Sequence, residues 1–248
     1  MLTRIASLLL GLNVLFIANG ICLAEPSAVL ETPVAPAPAT VRPVPRNDEW
    51  WQNRHAAMNN RVAQGNVDLL MIGDSITQGW EGGGKEVWAE FYGKRNAVNL
   101  GISGDRTEHV LWRLQNGNIK DISPKAAVIM IGTNNAGSNT SEEIALGVEA
   151  IVKLLRKELP ETKLLVLAIF PRGETSANKH RLVNEGANER IEQLADGKMI
   201  HFLDIGQAFL KEDGTLPKEV MPDFLHPRKH GYSIWARAME PKLAELLK

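Results

Sequence analysis

Four short segments of this chain carry the residue types that acyl-transfer chemistry requires. They are Gly73-Asp74-Ser75-Ile76-Thr77, Gly101-Ile102-Ser103-Gly104-Asp105, Gly132-Thr133-Asn134-Asn135 and Asp223-Phe224-Leu225-His226. A serine hydroxyl is a poor nucleophile until a base takes its proton, so Ser75 needs a histidine within hydrogen-bond reach. That histidine needs a carboxylate to fix its tautomer and to stabilise the imidazolium that forms. Among His55, His109, His180, His201, His226 and His230, only His226 has a carboxylate three residues before it and an expected helix just after it. One turn-like segment can present Asp223 and His226 together. Other readings stand beside this one. Ser75 could cap the helix that follows it, His230 is the second candidate base, and Gly, Asn and Ser are common after strands for turn reasons alone. Asp223, His226 and His230 could be read as metal ligands, but Pro227 interrupts the helix that would align the two histidines, and no metal is expected.

The elements around these segments follow from hydrophobic patterning. Val67–Ile72, Ala97–Leu100, Ala126–Ile131, Lys163–Phe170 and Met199–Ile205 read as buried strands. Several are nearly continuous in Val, Ile and Leu, as expected when helices cover both faces of a parallel sheet. Helices are expected at Trp50–Gln64, Lys85–Tyr92, Thr107–Asn116, Ser141–Leu159, Ala177–Ala195 and from about Tyr232 to Leu247. Ser141 with Glu142 and Glu143 reads as a capped, acidic helix start. Alternating strand and helix implies a doubly wound α/β domain, in which ligands bind outside the carboxyl ends of the strands. Three of the four segments follow expected strands, where such a sheet places its site, and the fourth precedes the last helix. Asp74 is expected to shape its turn through local backbone hydrogen bonds, a supporting role only.

The four segments resemble the four sequence blocks of the GDSL/SGNH hydrolases, from about Val67 to the end of the chain. The similarity is greatest to the branch containing the catalytic subunits of the brain-type platelet-activating factor acetylhydrolase, carried by NLGISGDRTEHVLWRLQNG, GTNN, IFPRG and DFLHPRKHGY. The resemblance implies Ser75 as nucleophile, Asp223 and His226 as the rest of a triad, and Ser75, Gly104 and Asn134 as the oxyanion hole. Physical chemistry agrees. Charge developing on a carbonyl oxygen needs preorganised donors, which the backbone N–H groups of Ser75 and Gly104 and the Asn134 amide could supply. Glycine at 104 permits close substrate approach and an unusual backbone angle. The fold implied is a flavodoxin-like, three-layer α/β/α sandwich around a parallel sheet of about five strands. The activity implied is hydrolysis of short-chain acyl esters, acetyl among them, through an acyl-enzyme and with no cofactor.

Residues outside the blocks are harder to place. Arg106 could reach an anionic substrate group or pair with Glu108 or Asp105. Trp80, Trp88 and Trp112 could line an acyl or sugar pocket, although Trp112 has the helical spacing of core packing. For Arg172 there is only its position after the fourth strand, and Asn135 reads as structural. The sequence lacks the G-x-S-x-G elbow of ordinary α/β-hydrolases, a P-loop and a dinucleotide fingerprint.

At 248 residues, with 44% hydrophobic and 23% charged residues, the chain has the profile of a globular protein with a full core. A net charge of −1 gives no electrostatic reason to expect a nucleic-acid partner. The stretch 1–24 reads as a signal peptide, with Arg4 before an uncharged apolar run and a cut after Ala24. A retained anchor or a lipoprotein signal at Cys22 are the alternatives. No stable membrane span is expected once the signal is removed, and the place expected is secreted or periplasmic. Removal would also take the only cysteine, leaving no disulfide. Residues 25–46 hold Pro26, Pro33, Pro36, Pro38, Pro43 and Pro45 and read as a semi-rigid tether, with the catalytic domain spanning 47–248. An exported esterase suggests an O-acetylated carbohydrate as substrate. The alternatives are lysophospholipid or platelet-activating-factor-type esters, a non-catalytic carbohydrate-binding relative, and an acyltransferase with the same acyl-enzyme. A homodimer is implied by the resemblance alone.

Overall fold

The computed structural model describes residues 36–248. The expected signal peptide and the first part of the expected tether lie outside these residues. Ala37–Lys248 form a compact unit. Its sheet has five parallel strands in the order β2-β1-β3-β4-β5: β1 (Leu69–Gly73), β2 (Ala97–Gly101), β3 (Ala126–Met130), β4 (Lys163–Leu167) and β5 (Ile200–Leu203). The helices are α1 (Glu49–Ala63), α2 (Ser75–Gln78), α3 (Lys85–Phe91), α4 (Thr107–Arg113), α5 (Ser141–Glu158), α6 (Lys179–Ile191) and α7 (Lys229–Leu246). This is the three-layer α/β/α architecture expected, with the strand order reversing at β1.

The layers follow from strand alternation. Leu70, Ile72, Val98, Leu100, Ala127, Ile129, Leu164 and Val166 point into one core, where α1, α4, α5 and α6 close over them. Leu69, Met71, Val128, Met130, Leu165 and Leu167 point into the other, covered by α3, α7 and the short α2. Every residue of β1 and β3 is therefore buried, which is why these strands are apolar without interruption. The edge strand β5 is only half buried.

Some boundaries move for local reasons. β4 ends at Leu167 rather than Phe170, because the Asn188 amide takes over the backbone pairing of Ile169 (2.8 and 3.0 Å). The cap of α5 is Thr140, in a reciprocal box with Glu143, while the Ser141 hydroxyl donates to the Val183 carbonyl on α6 instead. α7 begins at Lys229, three residues before Tyr232.

The larger correction concerns the tether. Ala37–Arg46 belongs to the compact unit rather than preceding it. Thr40 is fully buried, its carbonyl accepts from the Thr107 hydroxyl (3.0 Å), and Val44 N–H donates to the Glu108 carbonyl (3.3 Å). Proline biases these residues to extended backbone, and the segment, with one 3-10 turn at Ala39–Val41 that carries Thr40 inward, lies along α4 as a strap. The tryptophans do not line a pocket together. Trp80 is buried and packs with Trp88, Tyr92, Tyr232 and Trp235, whereas Trp112 sits against Trp51 and His55 on the opposite face.

Candidate active site

Chain reversal at the carboxyl end of β1 places Ser75 as the first residue of α2. The turn is shaped by Asp74, whose Oδ1 accepts the Ile76 N–H (2.9 Å), and by Tyr232 of α7, whose hydroxyl donates to the Ile76 carbonyl (2.7 Å). As the leading residue of a helix Ser75 has no intrahelical acceptor for its N–H. Among the described residues neither that N–H nor the Gly104 N–H donates to a backbone carbonyl.

The loop before α7 supplies the base. Asp223 Oδ1 accepts the N–H groups of Leu225 (3.1 Å) and His226 (2.8 Å), an Asx-type turn that carries Phe224 at φ +56°. The same carboxylate reaches His226 Nδ1 through Oδ2 (2.7 Å), and His226 Nε2 lies 2.9 Å from Ser75 Oγ. With Nδ1–H donating to Asp223, Nε2 is left as the acceptor and the serine hydroxyl donates to it. Burial alone would raise the Asp223 carboxyl, but the bonds from the His226 ring and backbone outweigh it and leave the carboxyl below its ordinary range. The His226 and Asp223 side chains are 41% and 57% exposed, so the relay opens directly onto solvent.

The other candidates converge on the same end of the sheet. Gly104 has φ +79°, a conformation that strains any residue with a Cβ. Asn134 is half buried, and its Nδ2 donates to the Asp105 carbonyl (2.8 Å) and stands 3.5 Å from Asp74 Oδ2. Both amide hydrogens thus have protein acceptors, and a ligand oxygen would take over the longer bond, the one to Asp74 Oδ2 (3.5 Å). Asp74 is fully buried. Burial, added to by the nearby Asp105 charge and opposed by the Ile76 N–H and by Arg172, pushes its carboxyl up to about 7.

Neighbouring residues hold the loops. Asn135, fully buried, accepts from Thr107 N–H (3.1 Å) and donates to Glu108 (3.1 Å). Arg106 pairs with Glu108 (3.1 Å) and donates to Ser138 (3.0 Å) and Asn139, so its cation is spent between loops. His230 and Asp223–His226 do not form a metal cage: among the described residues no cluster of three or more His, Cys, Asp or Glu is arranged to hold a metal ion. Arg172, to which the sequence assigns no role, donates through its guanidinium to the carbonyl (2.9 Å) and hydroxyl (3.2 Å) of Thr133. Its cation acts on both Asp74 and Asp223, and Gly173 N–H ties its loop to the Phe224 carbonyl (2.8 Å). Its place after a strand was the only available signal. Arg113, which lies buried with Asp105 beneath the site, had none.

Comparison with known proteins gives a consistent result. Residues 71–234 match the model of the GDSL-like Lipase/Acylhydrolase family. Platelet-activating factor acetylhydrolase IB subunit alpha1 of Bos taurus is 36% identical over 211 residues, covering 83% of this chain and 89% of the relative. In fold the chain is similar to a GDSL-like lipase from Bacteroides thetaiotaomicron (TM-score 0.59, 20% identity, 78% of this chain and 97% of the other). It is also similar to a catalytic mutant of an acetylxylan esterase from Geobacillus stearothermophilus (TM-score 0.59, 20% identity, 72% and 94%).

Proposed function

Starting from the fact that this chain belongs to the GDSL-like lipase/acylhydrolase family and is a serine ester hydrolase, we propose that it is an exported deacetylase of O-acetylated carbohydrate. The observation that carries the chemistry is the continuous relay Ser75 Oγ–His226 Nε2 (2.9 Å) and His226 Nδ1–Asp223 Oδ2 (2.7 Å).

In this reading His226 takes the Ser75 proton as Oγ attacks the ester carbonyl, and Asp223 stabilises the imidazolium through Nδ1–H. The carbonyl oxygen becomes an oxyanion held by the N–H groups of Ser75 and Gly104 and by the Asn134 Nδ2 hydrogen that it takes over from its long contact with Asp74. His226 then hands its proton to the departing alkoxide oxygen, leaving Ser75 acylated. A water molecule, deprotonated by the same imidazole, attacks the acyl carbon. Collapse of this second intermediate breaks the Ser75 ester, releases the acid and restores the hydroxyl. An acetyl group is supported by the names of two relatives, a platelet-activating factor acetylhydrolase subunit and an acetylxylan esterase. A carbohydrate alcohol is supported by the solvent-open relay, which leaves room for a bulky polar leaving group, and export rests on the pattern of Met1–Ala24. The 36% identity favours a second reading, acetyl removal from a platelet-activating-factor-type lipid.

The test is hydrolysis of p-nitrophenyl acetate and octanoate by the wild type and Ser75→Ala, followed by acetate release from acetylated xylan and from a 2-acetyl ether phospholipid. The expected loss in Ser75→Ala is roughly 10³-fold or more. Undiminished turnover in that variant would remove the mechanism. Acetate from the phospholipid but not from xylan would select the second reading.

A further inference from the structure

Beneath the site lies an ion pair that the chemistry above does not use. Arg113 of α4 and Asp105, one residue past Gly104, are both fully buried and meet through Nε and Oδ2 at 2.7 Å. Withdrawing two charges from water is costly, and a buried pair is weak evidence for stability by itself. What distinguishes this pair is where its remaining bonds go. Arg113 donates through one terminal nitrogen to the Gly73 carbonyl (3.2 Å), two residues before Ser75. The other donates to Asn118 Oδ1 (2.7 Å). Asp105 accepts Trp51 Nε1 (2.7 Å) through its second carboxylate oxygen, and its backbone carbonyl accepts the Asn134 amide (2.8 Å).

We propose that Arg113 is a positioning residue for the oxyanion hole, fixing the relative placement of its three donors. One planar guanidinium holds the end of β1 that leads into Ser75. Through Asp105 it also holds the residue next to Gly104 and the carbonyl that orients Asn134. Arg113 touches no substrate. Its effect arises because donors aimed in advance at the developing oxyanion need no reorganisation during reaction, and a misplacement of about 1 Å can cost about 10² in rate. A lysine retains the charge but offers a single point in place of a fork, so it cannot span Asp105, Asn118 and Gly73 at once. The inference rests on the catalytic reading of Ser75, Gly104 and Asn134 given above.

The experiment compares Arg113→Lys and Asp105→Asn with wild type, with Ser75→Ala, and with Leu155→Ala, a fully buried core truncation on α5. Four readouts are taken: kcat and KM for p-nitrophenyl acetate, Tm, inhibition by an alkylboronic acid that mimics the tetrahedral intermediate, and inhibition by acetate. Both charge-pair variants are expected to lose roughly 10- to 100-fold in kcat with KM within about twofold, the pattern of an interaction made in the transition state. Boronate affinity should fall with kcat while acetate inhibition stays constant, and Leu155→Ala should lose Tm but keep its kcat. Charge-pair variants that fold with kcat within about threefold of wild type would overturn the proposal, as would a loss no larger than that of Leu155→Ala at equal Tm. If Arg113→Lys does not fold, the near-isosteric Asp105→Asn decides alone. Activity surviving in Ser75→Ala overturns the underlying reading instead, which separates the two failures.

Discussion

Replacing Asp74 by asparagine should make the protein progressively more stable than wild type as pH rises, although it removes an ionisable residue beside the candidate nucleophile. The Asp74 carboxyl is fully buried, and burial pushes it from 3.8 up to about 7. In the unfolded chain it releases its proton near 4, while in the folded protein it keeps the proton to about pH 7. Between those values the folded state binds more protons, so stability is complete below about pH 4 and declines as pH rises toward 7. A shift of about three units corresponds to about 4 kcal/mol as an upper bound, with a slope of at most about 1.4 kcal/mol per pH unit. Asp74→Asn keeps an oxygen for the Ile76 N–H (2.9 Å) and abolishes the titration. It also turns an amide donor toward Asn134 Nδ2, which stands 3.5 Å from Asp74 Oδ2, a clash worth about 1–3 kcal/mol. The net expectation is a variant less stable or equal at pH 5 and more stable by about 1–3 kcal/mol at pH 8. Urea unfolding of both proteins at pH 5, 6, 7 and 8 measures this. A stability difference that does not change across that range would refute the reasoning.

Two further outcomes follow from the geometry. Asn134→Ala should lower kcat by roughly 10²–10³ while leaving the fold intact, the scale for one lost oxyanion donor; steady-state kinetics with circular dichroism checks both halves. A chain beginning at Asn47 should melt lower than one beginning at Ala37, because it loses the bonds that Thr40 and Val44 make with Thr107 and Glu108 and that Arg46 makes to the Ser103 carbonyl (2.6 Å). At about 1 kcal/mol per bond the loss is about 3 kcal/mol, or roughly 6–12 °C in Tm, and equal melting temperatures would show that the strap does not stabilise the domain.

The legible features share a cause, as do the illegible ones. β1 and β3 could be read because a strand buried on both faces has no polar position to confuse the pattern. Asp223 and His226 could be read as candidates because a three-residue spacing lets one turn present both, and Ser75 because its block follows a strand and resembles a family block. The strap could not. Proline composition predicts extended backbone but not the surface it lies on, and Thr40 is buried by Thr107, far away in sequence. Arg113 gave no signal, because a charge eight residues from its partner has no periodicity to betray a buried pairing. Arg172 followed a strand, yet its target, Thr133, is brought near only by the adjacency of β3 and β4.

This difference divides the site into two layers with different consequences. The group that would move protons, His226, and the carboxylate that orients it, Asp223, are solvent-accessible and held by short-range turn bonds that form within one segment. The groups that hold the backbone, Asp74, Asp105 and Arg113, are fully buried and joined across β1, the loop after β2, and α4. An exposed relay can be altered with little cost to folding, since water solvates whatever replaces it. A buried charge cannot lose its partner without leaving the other uncompensated. Substitutions in the outer layer should therefore change rate at nearly constant Tm, whereas those in the inner layer should change both, with the excess loss in kcat over a matched core truncation measuring how far the inner layer sets the geometry of the outer one.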